Sequence, residues 1–296
     1  MVRIISIFIL VSFLSVFEAY AEEVKLQQDD LTLNANLEKA DGWPAAPAVL
    51  ITHGTLSHNK SEIMAALQEL FLQNGVSSLA INLGLGLNDR HGPYDCKTPH
   101  YHKHEDAIDE IGTWLDWMEK QGVKQVTLLG HSRGGNQTAW FVAEHDDPVV
   151  KKVILVAPQT WDLEYEAQGY EDNYGKPLDA VLGKAESLVA AGSPETAIEH
   201  TDFIYCKDTT VSAEALVSYY ADDPRKDTPY LLPKIKKPIL VFAGSEDQTV
   251  KGLDEKLAAL AEAGDIELVV IDGADHFFRD LYVEDLVDIA VEFINE

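Results

Sequence analysis

The sequence predicts an α/β protein: an open, doubly wound, mostly parallel sheet interrupted by a helical cap. Three observations predict it. Short runs rich in Val, Ile and Leu recur along the chain, as strands buried on both faces of a parallel sheet require. Amphipathic helical patterns separate most of these runs, the alternation that right-handed crossovers produce. One connection of about 80 residues, Val156 to Pro238, breaks the rhythm with no convincing buried strand. A structureless loop of that length is improbable in a compact domain, which makes residues 159–233 a cap inserted into a core formed by 22–158 and 234–296.

Taken in order, the chain opens with Met1-Val2-Arg3, an apolar run from Ile4 to Phe17, and Ala19-Tyr20-Ala21. One positive charge, a short apolar stretch and small residues at −3 and −1 match a signal peptide cut after Ala21. The run falls short of the roughly 20 residues of a spanning helix, so a retained anchor is the weaker alternative. Cleavage leaves 275 of the 296 residues and an exported protein, periplasmic or secreted.

Glu23–Gln28 and Leu31–Leu37 alternate as a half-exposed hairpin does. Ala46–Thr52, Ser78–Leu83, Gln125–Leu129, Val153–Val156, Pro238–Phe242 and Ile266–Ile271 are the expected buried strands. Helical spacing marks Ser61–Asn74 and Asp106–Gln121, each stopped by a glycine (Gly75, Gly122), then Asn136–His145, Leu253–Ala263 and Leu281–Ile294. Within the cap, helical patterns stand near Leu178–Ala191 and Ser212–Tyr220. Cys96 and Cys206 can bridge in an oxidising compartment or remain two separate buried thiols.

A formal net charge of −27 argues against nucleic acid or an anionic membrane surface as partner, since both would be repelled. No run after the leader is long and apolar enough to span a bilayer. Oligomeric state is not legible.

The sharpest local feature is Gly130-His131-Ser132-Arg133-Gly134, with a buried strand before it and a helix after it. A nucleophilic serine needs a tight strand-to-helix turn with small residues at −2 and +2. Its hydroxyl also needs a base, and the base an orienting acid. In a doubly wound sheet these belong after later strands. Asp247 follows Pro238–Phe242, and His276 follows Ile266–Ile271. Glu246 and Asp275 are rivals for the acid, better read as loop or turn residues. The order Ser132, Asp247, His276 is that of acyl hydrolases on such a sheet. Strand Ala46–Thr52 ends in His53-Gly54-Thr55, so the backbone N–H groups of Thr55 (or Leu56) and Arg133 are the expected oxyanion donors.

On these motifs the chain resembles the α/β-hydrolase superfamily across nearly all of its mature length. Within it, the chain is similar to the esterase, lysophospholipase and monoacylglycerol-lipase branch. The resemblance implies a two-step acyl-enzyme reaction of a small-molecule acyl substrate, with no cofactor and no metal. An amide or peptide hydrolase with the same triad is the alternative. A non-catalytic exported binding protein is disfavoured by the intact Ser-Asp-His set.

Three further features remain open in the sequence. His100, His102 and His104 alternate, as ligands of a metal on an extended segment would, or else form a polar loop near the site mouth. Asn88–Cys96 should lie on the catalytic rim, touching substrate through Arg90 or Tyr94 or serving as a hydrogen-bonded loop. The cap carries 15 Asp or Glu against 5 Lys or Arg, with nine aromatics. An acidic aromatic lid would favour neutral or cationic substrates, unless the tyrosines merely pack the cap and the charges face water.

Overall fold

The computed structural model describes residues 21–296, and all of the expected leader except Ala21 lies outside them. The chain opens with a hairpin, β1 (Glu22–Gln28) and β2 (Leu31–Glu38), followed by β3 (Ala48–Thr52), α1 (Glu62–Gln73), β4 (Ser77–Asn82), α2 (Asp106–Gln121), β5 (Val126–His131), α3 (Arg133–Glu144) and β6 (Val150–Val156). The insertion then holds α4 (Leu163–Tyr174), α5 (Leu178–Ala190), β7 (Ala197–Phe203), β8 (Cys206–Ser212), α6 (Ala213–Tyr220) and the short α7 (Thr228–Leu231). The core resumes with β9 (Ile239–Gly244), α8 (Leu253–Ala263), β10 (Glu267–Ile271) and α9 (Leu281–Asn295).

Among the described residues the main sheet has eight strands in the order β1-β2-β4-β3-β5-β6-β9-β10. The hairpin is antiparallel and joins β4 antiparallel, whereas β4, β3, β5, β6, β9 and β10 run parallel. Successive side chains on a strand point to opposite faces, and the core divides accordingly. Ala48 and Leu50 of β3 pack with Trp114 and Leu115 of α2 on one face. Val49 and Ile51 pack with Phe71 of α1 and Leu286 of α9 on the other. Full burial of such side chains stabilises by about 1.5–3 kcal/mol each, so each strand is held from both sides.

Two expectations need correction. The segment Ile266–Ile271 reads as buried on both faces, but β10 is an edge strand and leaves Val270 exposed. The insertion is not wholly helical: β7 and β8 form an antiparallel hairpin with two register shifts. Those shifts, with polar residues on the outward positions, erase the alternation that would mark strands. The insertion has its own small core around Tyr170, Leu182, Phe203, Val211 and Leu216. Cys96 and Cys206 are joined by a disulfide, with Cα atoms 5.2 Å apart. The bridge ties the loop after β4 to the β7–β8 turn. Among the described residues no helix is long and apolar enough to cross a membrane.

Candidate active site

Ser132 sits between β5 and α3 with φ 57° and ψ −124°, a conformation costing a non-glycine residue on the order of 1–3 kcal/mol. Packing imposes it. The Ser132 N–H donates to the Val156 carbonyl at 2.9 Å, so the turn must climb sharply off the sheet. A Cβ at Gly134 would strike the carbonyls of Thr52 and His53, and one at Gly130 would strike the Gly134 carbonyl. Both glycines exist for this close approach. Gly54 serves the same end, since a Cβ there would sit 3.0 Å from the Ser132 Cβ.

The Ser132 hydroxyl donates to His276 Nε2 at 2.9 Å, and His276 Nδ1–H donates to Asp247 Oδ2 at 2.8 Å. Asp247 Oδ1 accepts the N–H groups of Thr249 (2.7 Å) and Val250 (2.9 Å). Burial alone would raise the Asp247 carboxyl. The hydrogen bond and charge of His276 and these backbone N–H groups override it and hold the carboxyl below its ordinary range. The rivals lie elsewhere: Glu246 is exposed, and Asp275 pairs with Arg279 and caps the Phe277 N–H. Such a chain can move a proton off Ser132 onto an imidazole whose charged form is stabilised from behind.

Thr55, Ser132 and Arg133 line one cleft of about 630 Å³. Among the described residues neither the Thr55 nor the Arg133 backbone N–H has a backbone acceptor, so both are available to an oxyanion. Leu56, with φ 51°, packs against the core and does not line the cleft. His53 fixes this loop. Its Nδ1–H donates to the Gly54 carbonyl (2.8 Å), and its Nε2 accepts from the Leu83 N–H and Arg90 Nη2, both at 3.1 Å. Burial first, then the Arg90 charge, pull His53 down to about 3, so it stays neutral in that role. His131, beside Ser132, donates from Nε2 to the His276 carbonyl at 2.9 Å. No local pattern in the sequence signals this brace on the His276 loop.

The rim segment is structural. Arg90 bonds the carbonyls of Leu83 and Gly92 and the Asn82 side chain. Tyr94 donates to the Pro99 carbonyl. Neither lines the cleft.

His100, His102 and His104 are neither a polar loop at the mouth nor a common ligand set. All three are buried, and among the described residues their ring nitrogens do not converge on one point. His100 Nδ1 meets His102 Nε2 at 3.1 Å, His102 Nδ1 meets the Tyr219 hydroxyl at 2.9 Å, and His104 Nε2 meets Asn136 Oδ1 at 2.9 Å. Among the described residues the one group with metal-ligand spacing is Glu23, Asp89 and His91. It is already bridged by Lys25.

The family whose sequence pattern is described as serine aminopeptidase, S33, matches residues 44–279. The chain belongs to this α/β-hydrolase family.

No curated protein matches the chain. Among solved structures of α/β-hydrolases, it is similar to Est1E from Butyrivibrio proteoclasticus, with 19% identity, TM-score 0.62, and 92% of this chain and 97% of that one covered. It is similar also to an esterase of Pyrococcus furiosus, with 17% identity, TM-score 0.62, and coverage of 94% and 91%. A third is E-2-(acetamidomethylene)succinate hydrolase, with 19% identity, TM-score 0.60, and coverage of 94% and 100%. At such identities the likeness is one of fold.

In this α/β-hydrolase the cap walls the cleft with Tyr165, Tyr170, Tyr174, Tyr205, Tyr219 and Tyr220. Tyr170, Tyr174 and Tyr220 spend their hydroxyls on backbone groups of Asp202 and Ile204, leaving ring surface toward the cleft. The acidic character expected of the lid does not carry into the cleft. Of the 15 cap carboxylates, only Asp162 and Glu166 line it. Most of the others face water, where charged side chains need no partner.

Proposed function

We propose that the protein is a serine hydrolase that cleaves a small or medium carboxylic ester through Ser132, His276 and Asp247. The observation that carries this reading is the continuous hydrogen-bond chain from Ser132 Oγ through His276 to Asp247. As Oγ attacks the acyl carbon, His276 Nε2 takes its proton. The developing oxyanion is received by the N–H groups of Thr55 and Arg133, each worth on the order of 3 kcal/mol in the transition state. Collapse of the adduct expels the alcohol, which takes the proton from His276, and leaves an acyl-serine. Water, deprotonated by the same imidazole, then releases the acid. Asp247 keeps Nδ1 protonated throughout and stabilises the imidazolium.

The aromatic cleft wall supports an ester with an apolar or aromatic portion. Ser132→Ala should abolish fluorophosphonate uptake and slow p-nitrophenyl butyrate hydrolysis by at least about 10⁴-fold. Equal rates for the two proteins would sink the assignment and leave a non-catalytic member of the fold.

An amide or peptide hydrolase uses the same residues. Asp162 and Glu166 on the cap side of the cleft favour that second reading, because they offer carboxylates to a substrate amine. Turnover of aminoacyl-arylamides in preference to esters would establish it. We also read residues 1–21 as a leader removed on export. The Cys96–Cys206 disulfide supports an oxidising compartment, and N-terminal sequencing of the mature protein tests the cut after Ala21.

A further inference from the structure

The cleft departs in charge from the molecule around it. The chain carries 50 acidic against 23 basic residues. Yet Arg133, Lys251 and Lys256 line the cleft against Asp162 and Glu166. Among the described residues none of these three cations forms an ion pair. Arg133 matters most, because it follows Ser132 directly, whereas both carboxylates come from the cap.

The Arg133 guanidinium is held in one orientation by neutral groups alone. Its Nε donates to Thr55 Oγ1 at 3.0 Å, and its Nη1 donates to His104 Nδ1 at 3.0 Å. It lies over the Tyr219 ring, 5.0 Å from the centroid, and Tyr219 is itself anchored on His102. His104 accepts as a neutral imidazole because its Nε2–H is committed to Asn136. Two of the five N–H donors of the guanidinium are therefore used. Arg133 is half-buried at the cleft; among the described residues no carboxylate pairs with it directly, although Glu166 across the cleft feels its charge. A fixed, planar guanidinium with no direct ion-pair partner is the group that recognises a carboxylate through a two-point fork, and its prior ordering removes much of the entropy cost of binding.

We propose that Arg133 forms a subsite for a carboxylate, so that the preferred substrate is an ester that also bears a carboxylate group. The proposal rests on the serine-hydrolase reading. It also inverts the expectation drawn from the acidic cap, because the charge beside the nucleophile decides more than the charge of the lid as a whole.

The test compares wild-type protein on p-nitrophenyl hemiglutarate and its neutral isostere, the glutaramate ester. A second pair places the carboxylate on the leaving group, 4-carboxyphenyl butyrate against 4-carbamoylphenyl butyrate. The wild type should show kcat/KM at least tenfold higher for the anionic member of one pair. Arg133→Gln should bring that ratio close to one, and Arg133→Lys, which keeps the charge without the fork, should give an intermediate ratio. Because Arg133 also braces Thr55, only the ratio is read, not the absolute rate. Fluorophosphonate uptake reports whether each variant has an assembled site. Should R133Q not label, R133K and the wild-type ratio decide. A protein that labels and turns over the neutral esters with no anion preference, or with a preference that R133Q leaves intact, would overturn the subsite alone. A wild type that neither labels nor hydrolyses any of the four would overturn the hydrolase reading with it.

Discussion

Glu110 shows how far a single buried carboxyl can shape the site's surroundings. It projects from α2 and takes the Gly84 N–H on both oxygens, at 2.8 and 3.1 Å. It thereby pins the end of β4 next to the Leu83 N–H that His53 accepts. Burial pushes its carboxyl from an ordinary 4.5 up to about 8, against the opposing pull of the Gly84 N–H. A folded value above the unfolded one means that its stabilisation is complete below about pH 4.5 and is lost as the pH rises through about 8. Glu110→Gln keeps an acceptor for Gly84 and removes the ionisation. The variant should match the wild type near pH 4.5 and become the more stable protein toward pH 8, by on the order of 4 kcal/mol. Urea denaturation across that range checks it, and a constant difference between the two proteins would count against the assignment. At this scale the sequence was legible where chemistry demands a spacing. Gly130, Ser132 and Gly134 announce a turn, and Asp247 and His276 each follow a strand. It was silent where a role depends on direction. Nothing in the local sequence says that the Arg133 side chain turns toward Thr55 and His104, or that His131 reaches back to the His276 carbonyl.

The elements most dependent on one another are the loop after β4 and the β7–β8 hairpin. His100 adds to β8 through its N–H to the Thr210 carbonyl (2.8 Å) and its own carbonyl to the Ser212 N–H (2.9 Å). Thr209 Oγ1 donates to the Cys96 carbonyl, and the disulfide closes a span of 110 residues. The hairpin turn carries Ile204 and Tyr205, both on the cleft wall. Replacing both cysteines by serine should therefore lower stability by about 3–5 kcal/mol on loop entropy. It should also raise KM more than it lowers kcat, since Ser132, His276 and Asp247 are positioned by the core. Thermal unfolding and steady-state kinetics with and without reductant measure both effects. A kcat loss with unchanged KM would show that the hairpin acts on the catalytic residues instead. The parallel strands were legible because burial on both faces demands uninterrupted Val, Ile and Leu. The hairpin was not. Strands such as Cys206–Ser212 expose Lys207 and Asp208 and earn their place through one bridge and a few backbone bonds, which leave no periodic trace. Helix α4 was missed for a similar reason, since among its residues only Tyr170 is fully buried.

Across the whole molecule, a net charge of −27 sets like charges against one another on a surface of fixed size. The folded state concentrates this repulsion and the unfolded chain relaxes it. Salt shortens the reach of such forces from roughly 10 Å at 0.1 M to about 3 Å at 1 M. Raising NaCl from 0.05 to 0.5 M should therefore raise Tm by several degrees, a gain of about 1 kcal/mol being worth roughly 2–4 °C in a domain of this size. Calorimetry at the two concentrations checks it. A fall in Tm would mean that the surface ion pairs, such as Lys25 with Asp89, outweigh the general repulsion. Composition foretold this field but not its local reversal in the cleft, because a net charge carries no position.

The sheet order also constrains when the protein becomes competent. Strand β9 lies directly beside β6, yet the whole cap separates them in the chain. Ser132 is therefore made early in synthesis, while Asp247 and His276 arrive only after the cap has been completed. A chain interrupted anywhere before β9 holds a serine with neither base nor acid, and exposes the flank of β6. On the proposed serine-hydrolase reading, the growing polypeptide is thus chemically silent until nearly its full length has been made. The late strands act as a safety catch that the order of translation itself releases.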